Sequence, residues 1–580
     1  MLVGLALVAH GASGEAPPDD ATRIARATEF LDRTAAFGFS GQVLIARGDR
    51  MLLHRAYGFA DRAAGTPLTL DTPIGVASMS KAFTAATVLS LERAGALRRG
   101  APIAGSYPGV PERWQGITLD QVLAHVSGLP GGYEDDFRAR DLDEALARLL
   151  EQPPVAPPGA GWHYSSEGYN LVAAIAARAA GIEWPALLRR EVFGRLGMTH
   201  TTTLDDRTAG SGAPAHAYVG WSDRGSPRAW PRNWRNLGGG DVASTAGDLH
   251  LWARALMTDP NWRSVRDTLW SLRAHLDGSA WYGYGAITDS TEWGTRRIEQ
   301  AGDTELGFNG TLLLYPDEDA ELIVLTNARV PDGRSMRHAV GQDLESAFVR
   351  GDTITLPPRA RPLAPDERDR LAGLYDLPGV TGAVRVVDDG ALTWLAAERQ
   401  PSIDALLGLS APLRAAAGRA NARTTELVAS LQARDTLALA RALGRDGAPA
   451  LAEYQSEWRG LVARHGALIG FEVLGSMPRR ALVRSWARLR WVDGVTTMTW
   501  AWADSARGRL AGSDPRAPAA PLVVSLAAAP EGGILAYDLM SGRRWTLAKR
   551  PARDGASLEL APGVVARRRP GAPDFEAIAD

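Results

Sequence analysis

Thr72-Pro73-Ile74-Gly75-Val76-Ala77-Ser78-Met79-Ser80-Lys81-Ala82-Phe83-Thr84-Ala85 is the stretch on which the reading of this 580-residue sequence turns. Ser78 to Ala94 has a helical pattern with Gly95 as its stop. Apolar residues lie nearly all round it, which predicts a buried central helix. On a helix, positions i and i+3 share a face, so the Ser78 hydroxyl and the Lys81 amine can meet. A serine hydroxyl is a poor nucleophile until a neighbouring base takes its proton. A buried lysine can act as that base, whereas an arginine cannot. Ser80, two positions on, faces elsewhere. The Gly75-Val76-Ala77 lead-in places the first backbone amides of the helix where a developing oxyanion would sit.

A Ser-x-x-Lys spacing is a weak signal in an ordinary sequence. Here only two of the 64 Lys and Arg residues are lysines, Lys81 and Lys549. A chance match is correspondingly less frequent. Lys549 has no serine three residues before it and reads as a surface charge. The chain has no cysteine, which excludes disulfides, thiol catalysis and Cys-ligated metals. A formal net charge of −2 argues against a nucleic-acid partner. No His-Glu-x-x-His motif or carboxylate cluster predicts a metal site.

Outward from the motif, Ala21–Ala36 reads as a helix, and Gln42–Ala46 and Met51–Tyr57 as strands. The region from about 100 to 260 is mainly helical. Tyr282–Ile287, Arg296–Ala301, Asn309–Leu314 and Glu321–Thr326 follow as strands, and Met336–Phe348 as a helix. Strands at both ends with helices between them predict one sheet assembled from distant segments. The proline-rich Leu356–Pro362 is the main boundary. Beyond it come strands at Ala383–Val387 and Leu392–Leu395, helices at Thr424–Leu443 and Leu451–His465, and strands at Leu468–Leu474, Ala481–Val492 and Val495–Ala503. Leu522–Leu526, Gly533–Leu539 and Arg544–Ala548 are the last strands. Trp486, Trp491, Trp500 and Trp502 read as core rather than as a ligand cage, with Trp500 and Trp502 on one sheet face. Met1–Val8 is apolar but far too short to span a bilayer, which takes about 20 residues. With Ala9 to Gly14 it has the look of a signal-peptide remnant. The expected location is therefore periplasmic or secreted, with the cytoplasm as the alternative.

The nucleophile segment resembles that of the serine β-lactamase-like hydrolases: class C β-lactamases, D-alanyl-D-alanine carboxypeptidases and lactamase-like esterases. Further segments are similar in order: Ile117–Pro130 with its His125-Val126-Ser127-Gly128-Leu129 turn, Pro158–Leu171, Val192–Met198, Gly239–Leu249 and Gly307–Asn327. The resemblance covers about residues 25–350. It implies an α/β fold, an antiparallel sheet flanked by helices with a helical subdomain. The domains expected are a signal remnant (1–20), the hydrolase domain (21–355), the start of a small β-barrel appendage (363–414), a nuclear-transport-factor-like or cystatin-like α+β module (415–512) and the closing strands of the appendage (520–580).

The resemblance also implies roles. Ser78 is the nucleophile, Lys81 takes its proton and Tyr164 relays protons to the leaving group. The family's Tyr-x-Asn reads Tyr164-Ser165-Ser166 here, and Ser166 lacks an amide's two donors. The third motif, usually Lys-Thr-Gly or His-x-Gly, reads Gln300-Ala301-Gly302 before Asp303. An uncharged Gln300 disfavours a free substrate carboxylate. Gln300, Gly302, Asp303 and Ser166 are expected to meet substrate or to build the oxyanion hole, with the Ser78 and Asp303 amides as its donors. His125 is expected to hold its turn and His163 to lie at the rim. The expected function is acyl-enzyme hydrolysis of a small ester, amide or peptide, with no cofactor, no nucleic acid and no stable membrane insertion. The alternative is a catalytically weak binding or assembly protein. Nothing in the sequence sets the oligomeric state.

Overall fold

The structure is a computed structural model. It describes residues 19–131, 141–204, 206, 212–230, 236–330, 335–377, 379–380, 382–397, 399–435, 437, 440, 458–479, 482–503, 510–514, 522–538, 544–547, 557–561 and 564–569. The apolar Met1–Val8, Lys549 and the junction between the two helices expected at Thr424–Leu443 and Leu451–His465 lie outside the described residues.

Helix α1 (Asp20–Ala35) starts where the Asp19 carboxylate caps the Thr22 amide at 2.8 Å. Its buried stripe of Ala27, Phe30 and Leu31 lies on a sheet. That sheet comprises β1 (Gly41–Arg47), β2 (Arg50–Tyr57), β3 (Ala274–His275), β4 (Trp281–Tyr282), β5 (Ile287–Ser290), β6 (Arg296–Asp303), β7 (Asn309–Tyr315) and β8 (Ala320–Thr326). It is antiparallel throughout, in the order β3-β4-β5-β6-β7-β8-β1-β2. The first two strands of the chain thus complete a sheet whose other six come some 220 residues later, as the pattern predicted. Strands β7 and β8 are buried along their whole length because both faces are covered. Val43, Ile45, Leu322 and Val324 face α1 and the helix Met336–Glu345. Their alternates, Leu44, Ile323 and Leu325, face α2 (Ser80–Arg93) and the rest of the helical side.

Two details of the sequence reading are corrected. The central α-helix begins at Ser80, and Ala77–Met79 is a 3-10 turn, so Ser78 precedes the α-helix proper. The strand expected over Tyr282–Ile287 is broken by the tight turn Gly283–Ala286. At Gly285 (φ +73°) a Cβ would stand 2.4 Å from the Ala82 amide nitrogen, so only glycine lets this turn lie against α2.

The C-terminal part is a second antiparallel sheet with an insertion. Its strands are β9 (Gly373–Asp376), β10 (Ala383–Asp388) and β11 (Thr393–Ala397), then the inserted β12 (Leu468–Arg479), β13 (Leu482–Trp491), β14 (Gly494–Ala503) and β15 (Leu510–Asp514). Strands β16 (Leu522–Ala528), β17 (Ile534–Tyr537), β18 (Arg544–Leu547), β19 (Ser557–Ala561) and β20 (Val564–Arg568) follow. The outer set curls into a β-rich half-barrel in the order β18-β17-β16-β11-β10-β9-β20-β19. The inserted four form their own sheet beside the 23-residue helix Ala411–Ala433. Trp500 and Trp502 share the helix-facing core, and the Trp502 indole donates to Thr424 Oγ1 at 2.8 Å. Trp486 points the other way, into the half-barrel core among Val384, Leu395 and Val524. The inserted sheet therefore packs one face on its own helix and puts Leu474, Met477 and Trp486 of the other into the half-barrel core.

The half-barrel packs on the N-terminal domain. Phe37 meets Tyr537 at 4.7 Å between ring centroids, and the Ser525 hydroxyl donates to the Phe37 carbonyl at 2.6 Å. Arg62 and Asp389 form a buried ion pair across the boundary at 2.7 Å.

Candidate active site

Ala77, immediately before Ser78, carries a side chain at φ +50°, a conformation that costs energy for any L-residue. The strain is held by packing. The Val76 amide donates to the Val242 carbonyl, and Ser80 Oγ donates to the Ala77 carbonyl and accepts from the Val242 amide. Ser80 is thus a brace for the turn and not a second nucleophile. Gly302 of β6 closes the other side: a Cβ there would stand 2.1 Å from the Val76 carbonyl oxygen and 2.7 Å from the Ser78 nitrogen.

The result is that Ser78, Lys81, Tyr164 and Ser166 meet. Ser78 Oγ lies 2.8 Å from the Tyr164 hydroxyl and 3.0 Å from Lys81 Nζ. Lys81 also donates to Ser166 Oγ at 3.2 Å and to the Gly239 carbonyl at 2.7 Å. Lys81 is 1% exposed, while Tyr164 is 41% exposed. The lysine is sealed behind the group and the tyrosine stands at the solvent side. Three acceptors around Nζ match the three hydrogens of an ammonium. Ser78 Oγ and the Tyr164 hydroxyl share a hydrogen bond in which either oxygen can donate. Burial opposes ionisation of Tyr164. The Lys81 charge and hydrogen bonds with Lys81, Ser78 and Ser166 outweigh it and hold the phenol below its ordinary value.

A layer of rings supports Tyr164. His125 lies 4.4 Å from it between centroids, and Tyr169 and Tyr282 lie 5.2 and 4.9 Å from His125. Burial, then the Lys81 charge, push the His125 imidazolium well below its usual range, so the ring is neutral. His125 Nδ1 accepts from the Ser165 amide at 3.2 Å, and the Tyr169 hydroxyl donates to the Leu123 carbonyl at 2.7 Å. Burial, followed by the neighbouring tyrosines, raises both Tyr169 and Tyr282. Tyr164 alone of the three is poised to ionise. His125 thus supports the tyrosine as well as its own turn.

Gln300 sits apart from this group. It is 1% exposed, and its Oε1 accepts from the Trp252 indole at 3.0 Å. It ties β6 to the helix Ala246–Thr258 instead of facing an open cleft, which corrects the expectation that it meets substrate. Asp303 ends β6 exposed, one position beyond the buried Gly302. Thr304 N–H points to β7, where it donates to the Phe308 carbonyl. By strand alternation the Asp303 N–H points to the opposite edge. The pairing of β5 with β6 reaches only Glu299, so among the described residues no strand pairs with that edge at Asp303. Gly302 keeps β6 close to the Ser78 amide, and the Asp303 N–H follows it in the chain. Gly302→Ala is expected to cut acylation of Ser78 by about 100-fold, read as the labelling rate with a fluorophosphonate, while circular dichroism stays unchanged.

Among the described residues one His/carboxylate group, Asp61–His216–Asp223, has metal-ligand proximity. Asp61 lies 3.7 Å from His216 Nε2 and Asp223 lies 3.1 Å from Nδ1. The two carboxylates flank opposite nitrogens of the His216 ring.

The sequence reading missed the Gly239 carbonyl, although the Gly238-Gly239-Gly240 run signalled a close backbone approach. It also missed Tyr282, which carries no local motif.

The family model described as Beta-lactamase matches residues 27–345. A penicillin-binding protein of Bacillus subtilis (strain 168) is 27% identical over 316 residues, 50% of this chain and 68% of that protein. Esterase EstB of Burkholderia gladioli is 34% identical over 175 residues, 27% of this chain and 44% of that protein. The chain thus spans less than half the length of the esterase. A class C beta lactamase structure from Rhodobacter sphaeroides superposes with a TM-score of 0.48 at 22% identity, covering 56% of this chain and 99% of that one.

Proposed function

The chain belongs to the Beta-lactamase family, a family of serine hydrolases, and on that premise we propose that it hydrolyses a small ester, amide or peptide through an acyl-enzyme. One observation carries the reading: Ser78 Oγ is hydrogen-bonded at once to Tyr164 and to a sealed Lys81. In the proposed reaction Tyr164 accepts the Ser78 proton as Oγ attacks the carbonyl carbon. The Lys81 ammonium stabilises the phenolate beforehand and steadies Oγ during attack. The Ser78 and Asp303 amides take the developing oxyanion. The Tyr164 proton then passes to the leaving group, and water repeats the cycle to release the acid. On the sequence reading Lys81 takes the Ser78 proton; in the proposed reaction it goes to Tyr164, the neighbour whose ionisation Lys81 favours.

Ser166 in place of an amide residue and the buried Gln300 leave no cation on the third motif to recruit a substrate carboxylate. Neutral esters and amides fit such a site better than carboxylate-bearing ones. The penicillin-binding and esterase relatives are consistent with this acyl-transfer class.

The test is incubation with a fluorophosphonate and with p-nitrophenyl acetate. A single covalent adduct mapped to the Ser78 peptide, together with turnover, is the expected result. An unlabelled protein without turnover supports the rival reading, a binding or assembly protein that has kept the site's outline.

A further inference from the structure

The Arg62–Asp389 pair lies at one end of a run of contacts that leads to the Asp303 side chain and the Thr304 carbonyl. Asp389 sits in the turn between β10 and β11, where it accepts from Arg62 Nη1 at 2.7 Å and from the Trp394 indole at 2.9 Å. The same Arg62 Nη1 donates to the Gly220 carbonyl at 2.7 Å, and the Arg62 backbone amide donates to the Tyr218 hydroxyl at 2.9 Å. The guanidinium stacks 4.0 Å over the Tyr218 ring. Arg62 thus grips a hairpin, Tyr218–Val219 against Ser222–Asp223, from the side of the half-barrel.

The other side of that hairpin faces the end of β6. Tyr218–Val219 pairs in parallel with Ala328–Arg329, and the Gly220 amide donates to the Arg329 carbonyl at 3.0 Å. The Arg329 side chain reaches Asp303 Oδ1 at 3.2 Å and the Thr304 carbonyl at 3.0 Å. The β6–β7 connection is wedged on the hairpin as well: at Gly307 (φ +123°) a Cβ would stand 2.6 Å from the Tyr218 nitrogen. Each link is short, and the Arg62–Asp389 end is buried, with side chains 3% and 2% exposed.

We propose that Asp389, on the C-terminal half-barrel, is a positioning residue for the hydrolase site, holding the Asp303 amide in place through Arg62, the 218–223 hairpin and Arg329. The half-barrel is then part of the catalytic scaffold and not a passenger. This rests on the reading of Asp303 N–H as an oxyanion donor. The mechanical half of the proposal, coupling of the half-barrel to the end of β6, stands independently of activity. A shift of the Asp303 amide by a fraction of an ångström acts on the transition state more than on substrate binding, because the oxyanion forms only during reaction.

The full-length protein is compared with Asp389→Asn, which keeps the side chain's shape, removes its charge and replaces one of its two acceptor oxygens with a donor. Asp376→Asn, at the exposed Asp376–Arg569 pair of the same half-barrel, is the control. Two readouts are taken. In hydrogen exchange, the peptide spanning residues 300–309 is expected to exchange at least about three-fold faster in Asp389→Asn, with the helix Ala246–Thr258 unchanged. In p-nitrophenyl acetate hydrolysis, kcat is expected to fall about ten-fold with KM within two-fold of the native value. The double variant Asp389→Asn/Arg329→Gln is expected to lose no more than the worse single variant, because both cut the same path. Unchanged exchange at 300–309, or exchange that rises equally in the helix, overturns the coupling. Altered exchange with kcat equal to that of Asp376→Asn overturns the positioning role. If the native protein neither labels at Ser78 nor turns over, the hydrolase reading fails and the positioning role with it; the exchange data still decide the coupling.

Discussion

Ser78→Ala is expected to lower p-nitrophenyl acetate turnover by about three to four orders of magnitude and to abolish the fluorophosphonate adduct, with the fold intact. The size of the effect follows from the arrangement around Oγ. Lys81 and Tyr164 are both directed at that one atom, and neither has another reacting partner in the site. Removing Oγ leaves the amides of Ser78 and Asp303 and the binding surface, which alone give only residual catalysis. The structural cost is small. Ser78 is half-buried, and the turn that carries it is held by Val242, Ser80 and Gly302 instead of by the Ser78 side chain. Loss of activity without loss of melting temperature is therefore the expected signature. Retention of more than about a tenth of the native rate would place the nucleophile elsewhere.

Tyr164→Phe carries the second large expectation: a fall of about 10²- to 10⁴-fold in kcat/KM. Phenylalanine preserves the ring packing on His125 and removes only the proton acceptor. The effect has a pH signature. The native protein should show kcat/KM rising with pH as Tyr164 loses its proton, at an apparent value below the usual tyrosine range, because Lys81 and the hydroxyls outweigh burial. That acidic limb should vanish in Tyr164→Phe. A limb that survives the substitution assigns the titrating group to another residue. His125, held neutral and buried, is excluded as its source over the same range.

The part of the site carried by side chains on one short motif was legible. Ser78 and Lys81 lie three residues apart, so local geometry alone brings them together, and the scarcity of lysine marks the position. Tyr164 came from an ordered set of segments rather than from any spacing rule. What the sequence could not convey is carried by the backbone. The strained φ of Ala77 leaves no residue-type signature, the glycine run at 238–240 marks a close approach without naming the carbonyl that makes it, and the Asp303 amide was expected only through the family resemblance. Gln300 shows the converse limit. Its place beside Ala301 and Gly302 suggested a substrate contact, but strand alternation turns it toward Trp252. The main sheet followed from hydrophobic period and order. The interruption at Gly283–Ala286 did not, because a glycine permitted by close approach to α2 looks like any other glycine. The strands Ser557–Ala561 and Val564–Arg568 are only five residues each, too short for their apolar alternation to stand out.

The half-barrel is written in two pieces. Strand β11 ends at Ala397, and its neighbour β16 begins at Leu522, so an entire helix-and-sheet unit is synthesised between two strands that must lie side by side. During translation the outer edge of β11 waits for more than a hundred residues, an exposed pairing edge of the kind that recruits wrong partners. The Phe37 carbonyl, made near the start of the chain, receives its hydrogen bond from Ser525, 488 residues later. Contacts so distant in sequence form late and slowly. Strands β16 and β17, made long after the hydrolase domain, thus seal one of its surfaces, through Ser525 and Tyr537 on Phe37.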